Sequence, residues 1–333
     1  MSGRAVMVVR PDRIGDLMLT TPVFAALKRA WPDVRVGALV RPLAAPLLER
    51  NPDVDHVTLE RGQPVGELAR DLRRERWDTS VHCFLTGRTV LAATLAGIPR
   101  RIGPASRLPA LLLTERVLQR RSRSVRHEAE YNLELLAPLG IHAGRVPTRL
   151  VLGDDERAWG RGRLASLGLG DSPPPIAIHP GSGNSAARWP LERFAALADA
   201  LVGEGHRVLL TFGPQEPELP AAMRAAMRSA PPILAPGSVS LRQLAAVLAT
   251  LGLFVSNSTG PLHMAVALGV PTVSCFALTP ATRPVRWGPY PAEGQIVLTP
   301  PDTPATLTAM DRIPVEAVLE ACHRQLAGGV PAR

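Results

Sequence analysis

The run Ala5-Val6-Met7-Val8-Val9-Arg10-Pro11-Asp12-Arg13-Ile14-Gly15-Asp16, continuing as Leu17-Met18-Leu19-Thr20-Thr21-Pro22, decides the fold. Its apolar opening, rich in β-branched residues, reads as a buried strand, and the Pro and Gly that follow mark a tight turn. Leu17, Leu19, Val23, Phe24 and Leu27 then give a helix a broad apolar face. A strand–loop–helix unit results, with an acid at the helix N-terminus. Open α/β sheets bind ligands at this edge, outside the carboxyl ends of the strands. Asp16 is therefore the first candidate for chemistry.

The same rhythm runs outward from this unit. Val34–Val40, His56–Leu59, Thr79–Phe84 and Arg100–Gly103 read as strands, with helices expected around Leu43–Arg50, Val65–Arg74 and Gly87–Ala96. Alternating strands and helices indicate a parallel sheet with right-handed crossovers. Pro104–Ser124 interrupts the alternation and is expected to be a mobile loop at the mouth of a cleft. His127–Leu139 reads as an amphipathic helix, and the Gly- and Pro-bearing stretch 140–153 as a linker. The second half repeats the scheme: strands at Ile176–His179, His206–Thr211, near Ile233, at Leu253–Val255 and at Thr272–Phe276. Helices lie between them, then a Pro-rich loop at Thr279–Pro291 and a last helix at Val315–Leu326. The expected architecture is α/β: two Rossmann-like doubly wound domains, 1–150 and 151–333, facing each other across a cleft.

Charge separates the halves. Residues 1–150 carry 24 Lys+Arg against 15 Asp+Glu, whereas 151–333 carry 14 of each, so the whole excess of +9 sits in the first half. Its densest part is Arg116, Arg120, Arg121, Arg123 and Arg126. A basic half implies an acidic partner, or a solvated face in a chain whose only lysine is Lys28. With 4% aromatic residues, and no stacking or helix-turn-helix pattern around the arginines, nucleic acid is excluded as that partner. Cys83, Cys275 and Cys322 are odd in number, far apart and in apolar contexts, and so read as buried free thiols of a cytoplasmic protein. No signal peptide or membrane-spanning run is apparent.

Two loops of the second half suit an anion. Pro180-Gly181-Ser182-Gly183-Asn184-Ser185 after a strand offers bare backbone N–H groups, although it matches neither a P-loop nor a dinucleotide fingerprint. Taken alone, it is a plain turn. Ser258-Thr259-Gly260-Pro261 builds a helix N-terminus whose dipole favours a phosphate; a well-capped helix is the plainer alternative. Together they point to a nucleotide-diphosphate site. His179, ending its strand beside the glycine loop, is a candidate lining residue; His263 either contacts phosphate or sugar or is structural. Asp53-x-Asp55 follows Asn51-Pro52 and reads as turn chemistry rather than a metal pair.

In combination these motifs resemble the bacterial heptosyltransferases of glycosyltransferase family nine. The resemblance rests on Arg-x-Asp-Arg-Ile-Gly-Asp at 10–16 with Thr21-Pro22, Asn51-Pro52-Asp53-Val54-Asp55, and His127 to Gly140. In the second half it rests on His179-Pro180-Gly181-Ser182, Arg188-Trp189-Pro190, and Asn257 to His263. It covers nearly the whole chain and implies the GT-B architecture, with the acceptor on the first domain and the nucleotide sugar on the second. It further implies inverting, metal-independent transfer of a heptose or related sugar from ADP-heptose to an acidic glycan or lipopolysaccharide-core acceptor. Asp16 is then the general base. Thr259 and Gly260 N–H groups, Ser182, Gly183 and Arg188 serve the leaving diphosphate, Glu216 or Glu218 the ribose, and Val239 the adenine. Arg13, Arg120, Arg121, Arg123 and His127 are the candidates to hold the acceptor.

Two positions depart from the family: Ala187 where it carries Lys, and Ser258 where it carries Asp. They keep open another nucleotide sugar, a small-molecule acceptor, or a catalytically impaired relative acting as a binding protein. A Rossmann-type oxidoreductase fails for want of the Gly fingerprint. No cofactor is expected, a monomer is, and peripheral contact with the inner face of the cytoplasmic membrane fits the acceptor.

Overall fold

A computed structural model describes residues 4–106, 108–170, 172–183 and 186–328. The chain divides into two units, Met1–Val151 and Leu152–Arg333. In the first, β1 (Ala5–Arg10), β2 (Arg35–Val40), β3 (His56–Leu59), β4 (Thr79–His82), β5 (Arg100–Pro104) and β6 (Glu115–Val117) form an all-parallel sheet. Its order is β3-β2-β1-β4-β5-β6. Every residue of β1 is buried, as a central parallel strand covered on both faces requires. The helices are α1 (Ile14–Met18), α2 (Thr21–Ala30), α3 (Val65–Arg74), α4 (Gly87–Leu95) and α5 (Glu128–Glu134).

The second unit repeats the plan with β7 (Ile176–His179), β8 (Val208–Thr211), β9 (Ile233–Leu234), β10 (Leu253–Asn257), β11 (Thr272–Cys275) and β12 (Gln295–Leu298). These strands are parallel, in the order β12-β11-β10-β7-β8-β9. Around them lie α6 (Asp154–Ser166), α7 (Leu191–Gly203), α8 (Leu219–Ala226), α9 (Leu241–Leu248), α10 (Gly260–Ala267), α11 (Pro284–Trp287) and α12 (Val315–Ala327). Gly160 lets α6 lie directly on α9, since a Cβ there would stand 2.3 Å from the Ala246 carbonyl oxygen. Each sheet reverses its strand order once, between β1 and β4 and between β10 and β7. Those crevices are where such sheets take ligands.

The structure departs from the sequence reading in instructive places. The helix expected after β1 is two helices: Thr20 and Thr21 turn their hydroxyls back onto the Asp16 and Met18 carbonyls (2.8 and 2.7 Å), and Pro22 at the start of α2 has no N–H to continue the first. Residues 104–124 are not an open loop. They carry the edge strand β6, paired with β5, and 3₁₀ turns at Leu108–Leu112 and Arg121–Arg123. The element near Leu43–Arg50 is a 3₁₀ turn, Ala45–Leu48, and the helix of 127–139 ends at Glu134. Strand β12 was not anticipated, and the Pro-rich loop contains α11. Asn184 and Ser185 lie outside the described residues. All three cysteines are buried and free, and among the described residues no helix is long and apolar enough to cross a membrane.

Candidate active site

In the first unit the switch point is built on a buried arginine. Arg10 ends β1, where its guanidinium donates to Asp12 (Nε, 2.8 Å), Asp16 (Nη2, 2.5 Å), Glu128 (Nη1, 3.0 Å), Asn132 and the Cys83 carbonyl. Burial opposes its charge, but Asp12, Asp16 and Glu128 outweigh that and raise its pKa well above the ordinary value. Asn132 extends the lattice, donating to the Leu19 carbonyl and Thr20 hydroxyl, both at 3.2 Å, and so tying α5 to the break between α1 and α2. Asp16, in the first turn of α1, thus has one oxygen fixed. Its Oδ2 carries no hydrogen bond among the described residues, and 15% of its side chain is exposed. A carboxyl group held on one oxygen and open on the other has the geometry of a general base. Asp12 is pushed up to about 6, chiefly by burial, with Arg10 working against the shift and the Asp16 charge adding to it.

The basic residues named from sequence divide into two groups. Arg13, Arg120 and Arg123 are exposed. Arg121 is not: its Nη1 donates to Glu128 (2.7 Å) and to the Cys83 carbonyl (3.1 Å), so it braces the Arg10 lattice from outside. His127 is buried as the N-cap of α5, its Nδ1 accepting from the Ala129 amide at 3.2 Å in a capping box with Glu130. Asp53 and Asp55 are structural too: Arg149 holds the first at 2.8 Å, while the second accepts from Lys28 and the Val36 amide.

In the second unit the loops after β7, β8 and β10 meet at the other switch point. Asn257, the fully buried last residue of β10, joins two of them by accepting from the Trp189 amide (2.8 Å) and donating to the Pro180 carbonyl (2.7 Å). The glycine loop does bind an oxyanion, but an internal one. Glu216 Oε1 accepts from the Ser182 and Gly183 amides, both at 3.2 Å, and from Arg188 Nη1 at 3.3 Å. Gly181 makes this possible, because a Cβ there would lie 2.1 Å from Glu216 Oε2. The two amides expected to face a donor phosphate are therefore occupied by Glu216. Arg188 remains 43% exposed.

His179 is buried, 3.0 Å from the Thr211 hydroxyl, and burial pulls its pKa down to about 4, so it is neutral. Thr259 is the N-cap of α10 in extended backbone, without a side-chain cap bond; Gly260 opens the helix, and His263 is buried one turn in. The N-terminus of α10, with Thr259 buried and Gly260 half-buried, follows β10 at the same sheet edge. Ser258 is half-buried, Glu218 is exposed at the N-cap of α8, and Val239 is half-buried just before α9. Ala187 packs against the hydrophobic core of this unit.

The glycosyltransferase family 9 (heptosyltransferase) pattern matches residues 65–312. The chain belongs to that family. A Haemophilus influenzae protein assigned as a glycosyltransferase is 31% identical over 310 residues, covering 89% of each chain. Lipopolysaccharide heptosyltransferase 3 of Escherichia coli is 27% identical over 295 residues, covering 83% of this chain and 82% of that protein. The solved structure of the E. coli ADP-heptose lipopolysaccharide heptosyltransferase II superposes with a TM-score of 0.83 at 23% identity, over 97% of this chain and 99% of that one. As a family 9 member the chain is a glycosyltransferase of GT-B architecture, as the resemblance of its motifs implies. Sequence reasoning passed over Arg10, Asp12, Glu128, Asn132 and Asn257 as site residues. One signal was legible: a charged Arg10 directly ending a strand apolar enough to be buried on both faces.

Proposed function

We propose that this glycosyltransferase moves a heptose, or a closely related sugar, from ADP-heptose to a lipopolysaccharide-core-type acceptor with inversion and without a metal. The donor and acceptor classes follow from what the relatives are named for. Asp16 carries the chemical reading. Its free Oδ2 takes the acceptor hydroxyl proton, the hydroxyl oxygen bonds to the anomeric carbon, and the bond from that carbon to the diphosphate breaks through an oxocarbenium-like transition state. Attack opposite the leaving group inverts the anomeric centre.

The departing ADP gains one negative charge, on the oxygen that leaves the anomeric carbon, and this needs dispersal. Arg188 and the N-terminus of α10 at Thr259–Gly260 are the groups for it, while Glu216 keeps the glycine loop rigid and the exposed Glu218 serves the ribose. His179, neutral, and Val239 line the nucleoside side, with Ser258 and His263 at the phosphate end. The exposed Arg13, Arg120 and Arg123 serve an acidic acceptor, and the enzyme works as a monomer on the cytoplasmic side.

Ala187 packs, half-buried, against the core where the family carries lysine, and this observation favours a second reading, a different nucleotide sugar on the same machinery. Calorimetry of the full chain against ADP, UDP and GDP and their sugars separates the two, with mass spectrometry of the product identifying the sugar moved. Preference for ADP-heptose and a heptosylated product support the first reading. Binding of no nucleotide sugar at all would overturn both.

A further inference from the structure

The end of α7 and the last turns of α12 bring three metal-binding side chains together in the second unit. Glu204 is the C-cap of α7, Gly205 follows with a φ of 85°, and His206 comes next. The Gly205 and His206 amides donate back to the Val202 and Leu201 carbonyls, both at 3.0 Å, the paired bonds of a helix end closed by a left-handed glycine. Glu204 and His206 therefore stand on a turn whose backbone is fixed. His323 comes from α12, 119 residues beyond Glu204 in the chain. Its neighbours Ala321 and Cys322 are buried in the same core cluster as Leu197, Ala198 and Leu201 of α7. Two residues later Gln325 ties α12 to the Thr272 and Gly294 carbonyls, both at 2.9 Å. Both elements that carry the cluster are thus held in place by contacts other than the cluster itself.

Two imidazoles converge on one carboxylate oxygen. His323 Nε2 lies 2.8 Å and His206 Nε2 3.7 Å from Glu204 Oε2, and the three ligand atoms all fall within 4.8 Å of one another. The plainer account is a surface ion pair, but such a pair contributes little to stability and needs one histidine, not two. A second imidazole that presents its Nε2 to the same point is what a shared cation requires. Metal–nitrogen bonds of about 2.0–2.1 Å place neighbouring ligand atoms roughly 3.3 Å apart around a tetrahedral ion, so each of the three need move by only about an ångström to close on one. Two imidazoles and one carboxylate suit borderline first-row ions such as Zn²⁺, whereas Mg²⁺ and Ca²⁺ take oxygen ligands. All three side chains are partly exposed, so water reaches the remaining coordination position.

We infer that Glu204, His206 and His323 bind a divalent transition-metal ion of the zinc class, which clips α12 to the turn between α7 and β8. The cluster precedes β8, at the sheet edge opposite the one where the loops after β7, β8 and β10 meet. The ion is a structural link and takes no part in sugar transfer. Its binding needs neither donor nor acceptor, so failure of this inference leaves the transferase reading standing.

Calorimetric titration of the tag-free, chelator-treated full chain with Zn²⁺, without nucleotide, tests it. One ion binds per chain with micromolar affinity, Mg²⁺ does not bind, and Co²⁺ at the same site gives the visible absorption of an ion with nitrogen ligands. His206→Gln and His323→Gln each weaken Zn²⁺ binding at least about tenfold, because each removes one of three ligands. His142→Gln, an exposed histidine of the first unit, leaves binding unchanged. Saturating Zn²⁺ raises the thermal unfolding midpoint of the second unit by about 5 °C in the wild type and not in the His206 or His323 variants. The metal-free variants keep the wild-type circular dichroism, since only a surface pair is lost. No Zn²⁺ binding, affinity unchanged in both the His206 and His323 variants, or binding that leaves the midpoint unmoved overturns the inference. A Co²⁺ complex without the nitrogen-ligand absorption overturns it independently of any variant.

Discussion

Asn257→Ala probes how the second unit holds its nucleotide loops. The wild-type side chain serves two backbone groups that water does not reach, the Trp189 N–H and the Pro180 carbonyl, at 2.8 and 2.7 Å. Alanine removes the partner of both. A buried donor or acceptor stripped of its partner costs about 1–3 kcal/mol, so the pair predicts a loss of about 4 kcal/mol. Urea unfolding followed by circular dichroism reads this as a lower midpoint for the second unit's transition, and hydrogen exchange reads it as lost protection at the Trp189 amide. Nucleotide affinity falls with it, because the loops after β7 and β10 are no longer tied. Asn257→Asp is the sharper variant. It keeps the acceptor for Trp189 but sets a carboxylate oxygen against the Pro180 carbonyl, an arrangement that is favourable only when the new acid is protonated. Its folded-state pKa is then raised above the unfolded value, so its stability approaches wild type at low pH and is lost as pH rises through that raised value. A destabilisation below about 1 kcal/mol in Asn257→Ala, with unchanged exchange at Trp189, would refute the reasoning.

Arg121→Met removes one of the two guanidinium groups on the buried Glu128 carboxylate and destabilises the first unit by about 3 kcal/mol, whereas the exposed Arg123→Ala changes stability by less than about 0.5 kcal/mol and raises the acceptor KM instead. Thermal unfolding and steady-state kinetics on the two variants check the division. His179, neutral in the fold with its pKa drawn down to about 4 by burial, contributes stability that is fully present above its ordinary value of about 6.5 and is lost as pH falls toward 4. The second unit's stability therefore declines over that range by up to about 3 kcal/mol, read from urea unfolding at each pH, and His179→Gln flattens the decline.

The sequence displays what repeats and hides what converges. Strand and helix periods, the Gly and Pro breaks and the charge asymmetry are local, and they lead to two doubly wound sheets with Asp16 at one switch point and Thr259–Gly260 at the other. The Arg10 lattice is a different matter, because Glu128 and Asn132 reach it from α5, more than a hundred residues along the chain. No spacing rule joins such positions. Arg121 and Arg123 look alike in a run of arginines, and only the fold shows that one braces Glu128 while the other faces water. Pro180–Gly183 was legible as an anion cradle because bare amides after a strand have that character in any fold. Its occupant, Glu216, comes from the neighbouring loop and was not legible. The split of the first helix at Thr20–Thr21 was missed because the leucine pattern spans the break, while the hydroxyl bonds that close α1 depend on the local backbone.

The central claim is that Asp16 takes a proton while a separate set of groups holds the donor. Asp16→Asn tests it most directly, because the amide oxygen still accepts from Arg10 and the lattice survives, whereas a neutral amide accepts no proton from the acceptor. Single-turnover transfer, measured beside calorimetric donor binding, is the assay. The account predicts donor affinity within about twofold of wild type and transfer slowed by at least about 100-fold. Transfer within about tenfold of wild type, with the donor still bound, would remove Asp16 from the reaction and contradict the account.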